Sequence, residues 1–249
     1  MESKLPYSRI SFQEFQGRAQ DPSLTKYEKI GFPDNYRKGK EQNIFLDLEQ
    51  KLKLDREQLK ILDIGCGCSD LVDLLITNSE TKKQELILVD SQEMLDLLPN
   101  SSIAKKVPGQ FPKCLDSLKE FQNELDVIIV YSVLQHIILD SNPYSFIDKA
   151  LGLLKSTGVL LLGDIPNNSK RNRFFESERG QKFHEEYTDS SEAPLPIINY
   201  PDTFEKIDDG LLFGILMRYR GFGFETYILP QPDGLPMASR REDIIIVKN

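Results

Sequence analysis

The sequence predicts an α/β fold in which a mainly parallel sheet carries helices on both faces. Three observations lead there. Residues 61–70, ILDIGCGCSD, read as a buried strand, a glycine-rich turn and the start of a helix. The continuous apolar runs LILV at 86–89 and VIIV at 127–130 have strand length and suit strands covered on both faces. Stretches with helical spacing separate these runs, as parallel connections require.

The chain has 249 residues, which suits one large domain with an embellishment. Hydrophobic residues make up 39% and charged residues 28%, so a sizeable core can form. The formal net charge of −8 argues against general nucleic-acid binding, which favours basic surfaces. No apolar run reaches the length of a membrane span, and the opening MESKLPYSRISFQEF holds no signal-peptide core. Cys66, Cys68 and Cys114 suit a reducing compartment, so a cytoplasmic location is expected. Cys66 and Cys68 have only His136 and His184 to help them and show no zinc spacing, so no metal is expected.

Residues 1–24 are polar, with scattered aromatics Tyr7, Phe12 and Phe15 and no strand pattern. Tyr27 and Ile30 precede a Gly31-Phe32-Pro33 break, after which Asp34 caps a short helix or turn. Ile44, Phe45, Leu48, Leu52 and Leu54 form a helical stripe, so residues 1–54 are expected to be a helical segment ahead of a domain at 55–249. Tyr27, Lys29, Tyr36, Arg37 and Lys38 put rings and cations on its loop, which reads as a lid touching ligand carboxylates or as a solvated basic turn. Gly65 and Gly67 lack a Cβ, so the backbone can turn sharply and admit a ligand closely. The helix that follows points free N–H groups toward that ligand.

Glu85–Asp90, ELILVD, is the second strand, and Asp90 stands 23 positions after Gly67. That is near the roughly 20 that separate a phosphate-type loop from a ribose-binding acid. Asp90 can accept from both ribose hydroxyls, or it can cap with Ser91 the helix carrying Met94, Leu95, Leu97 and Leu98. Met94 reads as touching an adenine face or filling the core. A weaker third strand, 103–111, ends in Gly109-Gln110-Phe111, and a helical stripe at Leu115, Leu118 and Phe121 leads to the fourth strand, 125–130. Ligands in such sheets lie beyond the carboxyl ends of the strands, which puts Tyr131, Ser132 and His136 near the reaction centre. His136 has the imidazole that suits a general base near neutrality, while Ile137 and Ile138 equally suit a packed histidine. Residues 146–154 read as a helix, 155–158 as its exit turn and 159–162 as the fifth strand, which leads to Asp164, the alternative base. Residues 210–220 read as a helix, and 223–229 and 243–248 as a closing hairpin.

Asp63-x-Gly65-x-Gly67 behind an apolar strand, with Ser69 where a hydride-transfer site has its third glycine, resembles the first motif of class I S-adenosylmethionine-dependent methyltransferases. The strand-end residues over 55–249 extend the resemblance, and ALGLLKSTGVLLLGD is similar to the family's helix–K-x-x-G–strand pattern. The resemblance implies a Rossmann-like sheet of seven strands, ordered 3-2-1-4-5-7-6 with the last antiparallel, and S-adenosylmethionine as cofactor. It implies that Gly65, Cys66 and Gly67 pass under the methionine part, and that Asp63 orders the loop or meets the amino group. Gln110 stands where the family has an acid or amide meeting the adenine amino group, with Phe111 as its apolar neighbour. The stretch from Tyr131 through Ser132 to His136 resembles the fourth motif. With Asp90, Ser91, Met94 and Arg37 these residues make up the expected cofactor shell.

Residues 166–205 interrupt the pattern as an insertion, where the family's acceptor specificity usually lies. Lys170, Arg171 and Arg173, with His184 beyond, read as a site for an anionic substrate group or as a solvated face balanced by Glu176, Glu178, Glu185 and Glu186. KYEKIGFPDNYRKGKE and GDIPNNSKRNRFF also look like bacterial methyltransferases of sugar and surface-polysaccharide biosynthesis. The expected activity is therefore methyl transfer to a small or sugar-type acceptor, the alternative being a non-catalytic cofactor-binding module of the same fold. A nicotinamide oxidoreductase is disfavoured, since no Tyr-x-x-x-Lys pair occurs at a suitable strand end. A base-modifying enzyme is disfavoured because Tyr131-Ser132-Val133-Leu134 stands where an Asn/Asp-Pro-Pro-Tyr tetrapeptide would be.

Overall fold

A computed structural model describes residues 10–188 and 207–249. Four helices come first: α1 (Phe12–Gln20), α2 (Lys26–Lys29), α3 (Asp34–Arg37) and α4 (Glu41–Leu52). Then β1 (Lys60–Ile64), α5 (Asp70–Thr81), β2 (Glu85–Asp90), α6 (Gln92–Leu95), β3 (Ala104–Pro108) and β4 (Leu125–Tyr131) follow. The chain continues through α7 (Leu134–Asp140), α8 (Pro143–Leu151), β5 (Leu154–Pro166), α9 (Asn168–Glu176) and α10 (Glu178–Thr188). It closes with α11 (Asp209–Gly221), β6 (Glu225–Pro230) and β7 (Arg241–Val247).

The strands form one sheet in the order β3-β2-β1-β4-β5-β7-β6, as expected. β1 to β5 pair in parallel, and β7 runs antiparallel to both β5 and β6. Adjacent residues of the buried strands feed opposite apolar layers: Leu62, Ile87 and Ile128 pack with α8 and α11, and Ile61, Leu86 and Val127 pack with α4 and α5. This is the period-two alternation of a sheet covered on both sides. Ala19, Ile44, Phe45, Leu48, Leu52 and Leu54 belong to the second layer, so the N-terminal helices share the core of the sheet.

Several local expectations need correction. α8 begins at Pro143, capped by the Asn142 side chain, and ends before Gly152, so Leu154 is already in β5 opposite Leu125. Pro at the first helical position and a capping Asn set that start more strongly than the apolar stripe does. The stripe at 115–121 is a 3₁₀ helix, and the helix after β2 is the single turn α6. Pro33, not Asp34, is the N-cap of α3, and Asp34 instead accepts a hydrogen bond from Thr25 Oγ1 at 2.5 Å. The patternless N-terminus contains α1, opened by a reciprocal Ser11–Glu14 capping box. Of the expected insertion, residues 166–188 are the end of β5, α9 and α10, while 189–206 lie outside the described residues. Among the described residues no helix is long and apolar enough to cross a membrane.

Candidate functional site

The glycine turn after β1 is a backbone feature first. Gly65 and Gly67 have φ of +74° and +66°, where a side chain is strained. A Cβ on Gly65 would meet Val133 Cγ2 at 2.6 Å, and one on Gly67 would meet Ile30 Cγ2 at 2.7 Å. The turn is tied to the end of β2 by Asp90. Its Oδ2 accepts from Gly67 N–H at 2.9 Å and its Oδ1 from Ser91 N–H at 2.7 Å. Burial nevertheless pushes the Asp90 carboxyl up to about 6.

Asp63, at the end of β1, is 4% exposed, and its carboxylate accepts no hydrogen bond among the described residues. Burial, and then the charge of Asp90, push it up to about 8. A buried acid without donors is costly unless a cation reaches it.

Both acids line a cavity of about 430 Å³ at the carboxyl ends of β1 to β4. That volume is within the range of sites for drug-sized ligands and cofactors. Of the residues singled out from sequence, Asp63, Gly65, Cys66, Gly67, Asp90 and Met94 line it. So do Gln110, Phe111, Tyr131, Ser132, His136 and Arg37. Residues spread from Asp63 to His136 thus converge because parallel strands deliver their carboxyl ends to one edge.

Arg37 enters from α3, 3% exposed. Its Nε donates to Glu41 Oε1 at 3.0 Å, its Nη1 to Ser132 Oγ at 3.4 Å, and Phe32 lies 4.8 Å from the guanidinium. Gln110 Oε1 accepts from Lys113 Nζ at 2.8 Å, and Phe111 sits edge-on to Phe146 with centroids 5.0 Å apart. His136 meets Phe15 edge-on at 5.0 Å, and burial, then Arg241, lower its pKa to about 4. That makes it a neutral, weakly basic imidazole near neutral pH.

Six expected site residues fall outside the cavity lining. Ser91 is the N-cap of α6, its Oγ accepting from Met94 N–H at 3.2 Å. Asp164 lies behind Ser132, whose Oγ donates to its Oδ2 at 2.6 Å. Both of these residues adopt left-handed backbone, with φ of +60° and +56°. Asp243 Oδ1 fixes the Asp164 turn by accepting from its N–H at 2.8 Å. Lys170 donates to the Arg241 carbonyl at 2.7 Å and lies 3.7 Å from Glu242, and Arg173 pairs with Asp209 at 2.5 Å. Arg171 and His184 both contact the Phe175 ring, at 4.9 Å and 5.9 Å. The basic cluster is therefore bound up with α11, β7 and its own helices rather than turned to the cavity.

Of the rings and cations expected on the N-terminal loop, Arg37 lines the cavity, while Tyr27, Lys29, Tyr36 and Lys38 do not. Tyr27 donates to Asp70 at 2.7 Å, and Lys29 caps α1 by donating to the Ala19 carbonyl at 2.8 Å. With Arg37, the N-terminal segment lines the cavity through Ile10, Phe12, Phe15, Ile30 and Phe32. The signal for α1 was the Ser11-x-x-Glu14 spacing, a capping box.

No protein family and no curated protein sequence matches the chain. Solved structures do. The plantazolicin methyltransferase BpumL in complex with S-adenosylhomocysteine aligns with a TM-score of 0.55 at 15% identity, over 96% of this chain and 97% of that one. The methyltransferase domain of bacterial CtHen1 aligns at 0.50 and 17% identity, over 86% and 100%. A provisionally assigned O-methyltransferase from Nostoc punctiforme PCC 73102 aligns at 0.50 and 14%, over 82% of this chain, which spans 57% of the Nostoc chain. At such identities the likeness concerns the backbone. With the sheet order and the reversed β7, it establishes that this chain has the Rossmann-like fold of the class I S-adenosylmethionine-dependent methyltransferases.

Proposed function

We propose that the chain transfers a methyl group from S-adenosylmethionine to a small-molecule acceptor. The observation that carries this reading is the buried carboxylate of Asp63. It faces, without a hydrogen bond from the described residues, a cavity that also holds the glycine turn, Asp90 and Arg37. A ligand with an ammonium, a carboxylate and a ribose matches that set. Asp63 pairs with the ammonium and Arg37 with the carboxylate. Asp90 keeps lone pairs for ribose hydroxyls beyond its two backbone donors. Met94 and Phe111 pack against the adenine, and Gln110 meets its edge. BpumL, with S-adenosylhomocysteine bound, has the same fold, which supports the choice.

The bound cofactor supplies a methyl group already activated by its sulfonium. The chain's own task is to hold donor and acceptor in line and keep water out. In this reading Ser132, which can pass a proton on to Asp164, and His136 are the cavity-lining groups that receive the proton of a hydroxyl acceptor. A pKa near 4 makes His136 a weak base, so its main role in this reading is to pack the acceptor end. The sugar-type, anionic acceptor draws no support from the insertion, whose Lys170 and Arg173 face Glu242 and Asp209.

Calorimetry with S-adenosylmethionine and S-adenosylhomocysteine tests the reading. Micromolar binding is expected, weakened at least about tenfold in Asp90→Ala and in Arg37→Ala. Absence of binding to the wild type at millimolar ligand sinks it. Binding without methylation of any acceptor offered would favour the non-catalytic module.

A further inference from the structure

We infer that the lid end of the cavity takes, as methyl acceptor, an uncharged small molecule bearing a flat aromatic ring; this rests on the cofactor reading above. Three observations carry it. The first is the wall itself. Ile10, Phe12, Phe15 and Phe32 from the N-terminal segment line the cavity with Val133 and Ile137 from the start of α7. These six are apolar and three are phenyl rings, with Ser11, Gln13 and Ser141 as the uncharged polar neighbours in the lining. These residues come from the N-terminal segment and the start of α7, whereas most of the proposed cofactor shell comes from the ends of β1, β2, β3 and β4.

The second observation is ring geometry. Phe15 stands edge-on to His136, centroids 5.0 Å apart and planes at 89°. Rings held at right angles offer a further ring both a face and an edge, the arrangements aromatic pairs prefer. Phe12 and Phe15 are half-buried in a nine-residue helix, so their contact with a guest costs little rearrangement of the core.

The third observation is charge. Among the described residues lining the cavity the cations are Arg37 and Lys113. In the cofactor reading Arg37 is taken by the cofactor carboxylate, and Lys113 bonds Gln110 at the other end. Arg241, whose charge reaches His136 from outside the lining, is held by Asp164, to whose carbonyl it donates at 2.9 Å. Asp63 and Asp90 add negative charge to the same space. A phosphate or sulfate at the lid end would meet cations already committed to the cofactor, Gln110 or Asp164, which is strongly unfavourable for a buried anion. A volume of about 430 Å³, shared with a cofactor, also limits the acceptor's size.

The test is calorimetry on protein saturated with S-adenosylhomocysteine, titrated with 2-naphthol and, separately, with UDP-glucose. Naphthol is expected to bind the wild type, and its affinity to fall about tenfold in Phe12→Ala and in Phe15→Ala while both still bind S-adenosylhomocysteine. Phe15→Leu, which keeps apolar bulk without the ring, should fall between and serves if Phe15→Ala does not fold. UDP-glucose should not bind. Naphthol binding that is indifferent to all three substitutions overturns the proposal, as does UDP-glucose binding in place of naphthol. Saturable S-adenosylhomocysteine binding with no naphthol binding at its solubility limit overturns the acceptor proposal alone. No S-adenosylhomocysteine binding overturns the cofactor reading and this proposal with it.

Discussion

Asp63 combines two properties that pull against each other, since it is buried beside Asp90 and accepts no hydrogen bond from the described residues. Its carboxyl lies near 8 in the folded chain against 3.8 when unfolded. The folded state therefore holds the proton longer, and stability is lost as pH rises from about 4 to about 8. Asp90, near 6, acts in the same direction over the lower part of that range. His136, lowered from 6.5 to about 4, acts oppositely, adding stability as pH rises between those values. Between pH 6.5 and 8 Asp63 is the one of the three still titrating. The ligand-free melting temperature should fall by about 5 °C over that window, and Asp63→Asn should flatten the slope. Pairing with a ligand ammonium ionises Asp63, so S-adenosylhomocysteine binding at pH 7 should release close to one proton. Calorimetry in two buffers of different ionisation enthalpy measures this, and Asp63→Asn should release none. A pH-independent melting temperature and no proton release would show that the Asp63 carboxyl is not held protonated.

At the scale of elements, the glycine turn and the caps separate cavity-lining residues from those that only shape the fold. Ser91 was expected in the cofactor shell, yet its hydroxyl caps α6 from outside the cavity lining. Ser91→Ala should cost about 1 kcal/mol, a melting shift of about 3 °C, with S-adenosylhomocysteine affinity changed less than threefold. Gly67→Ala should cost more, for two reasons. Its φ of +66° disfavours any side chain, and the new Cβ meets Ile30. Ile30→Ala in the same chain relieves the contact but not the backbone cost, so the double variant should recover only part of the lost stability. These cases explain what the sequence made legible. Asp63, Gly65, Gly67 and Asp90 could be read because strand-end position follows from the period of apolar residues and the spacing of the turn. Capping is one of the two readings the sequence offers for Ser91, its partner Met94 N–H being only three residues on. The directions of Asp164 and Lys170 could not be read, since a left-handed turn and pairing with Glu242 depend on partners brought by the fold. The start of α8 was misread because a capping Asn142 before Pro143 outweighed the apolar stripe. Phe12 and Phe15 were seen but given no role, as nothing in a short polar segment says which cavity it will cover.

Over the whole molecule, the N-terminal helices are joined to the sheet by charge as well as by apolar packing. Lys51 on α4 donates to Asp47 at 2.6 Å and to Asp243 of β7 at 2.7 Å. Asp243 is 0% exposed and its other oxygen accepts from Gln231 Nε2 at 3.0 Å and Asp164 N–H at 2.8 Å. From Asp164 the path continues through Ser132 to Arg37, back on the N-terminal segment and in the cavity. The N-terminal helices are thus fastened at two points to the ends of β4, β5 and β7, so their placement and the shape of the cavity are coupled. Lys51→Met keeps the apolar stem but leaves two buried carboxylates without their cation. Removing one partner from a buried ion cluster costs about 3–5 kcal/mol, here a melting temperature lower by about 10 °C at neutral pH. Burial already raises the Asp47 carboxyl, and without Lys51 it rises further. The folded variant then binds a proton that the unfolded chain gives up, so the deficit should shrink as pH is lowered toward 5. Lys105→Met is the control, since its pair with Glu120 is solvent-exposed and should move the melting temperature by less than about 2 °C. Equal shifts for the two variants, or a Lys51→Met deficit that does not respond to pH, would mean that the buried charges do not fasten the N-terminal helices.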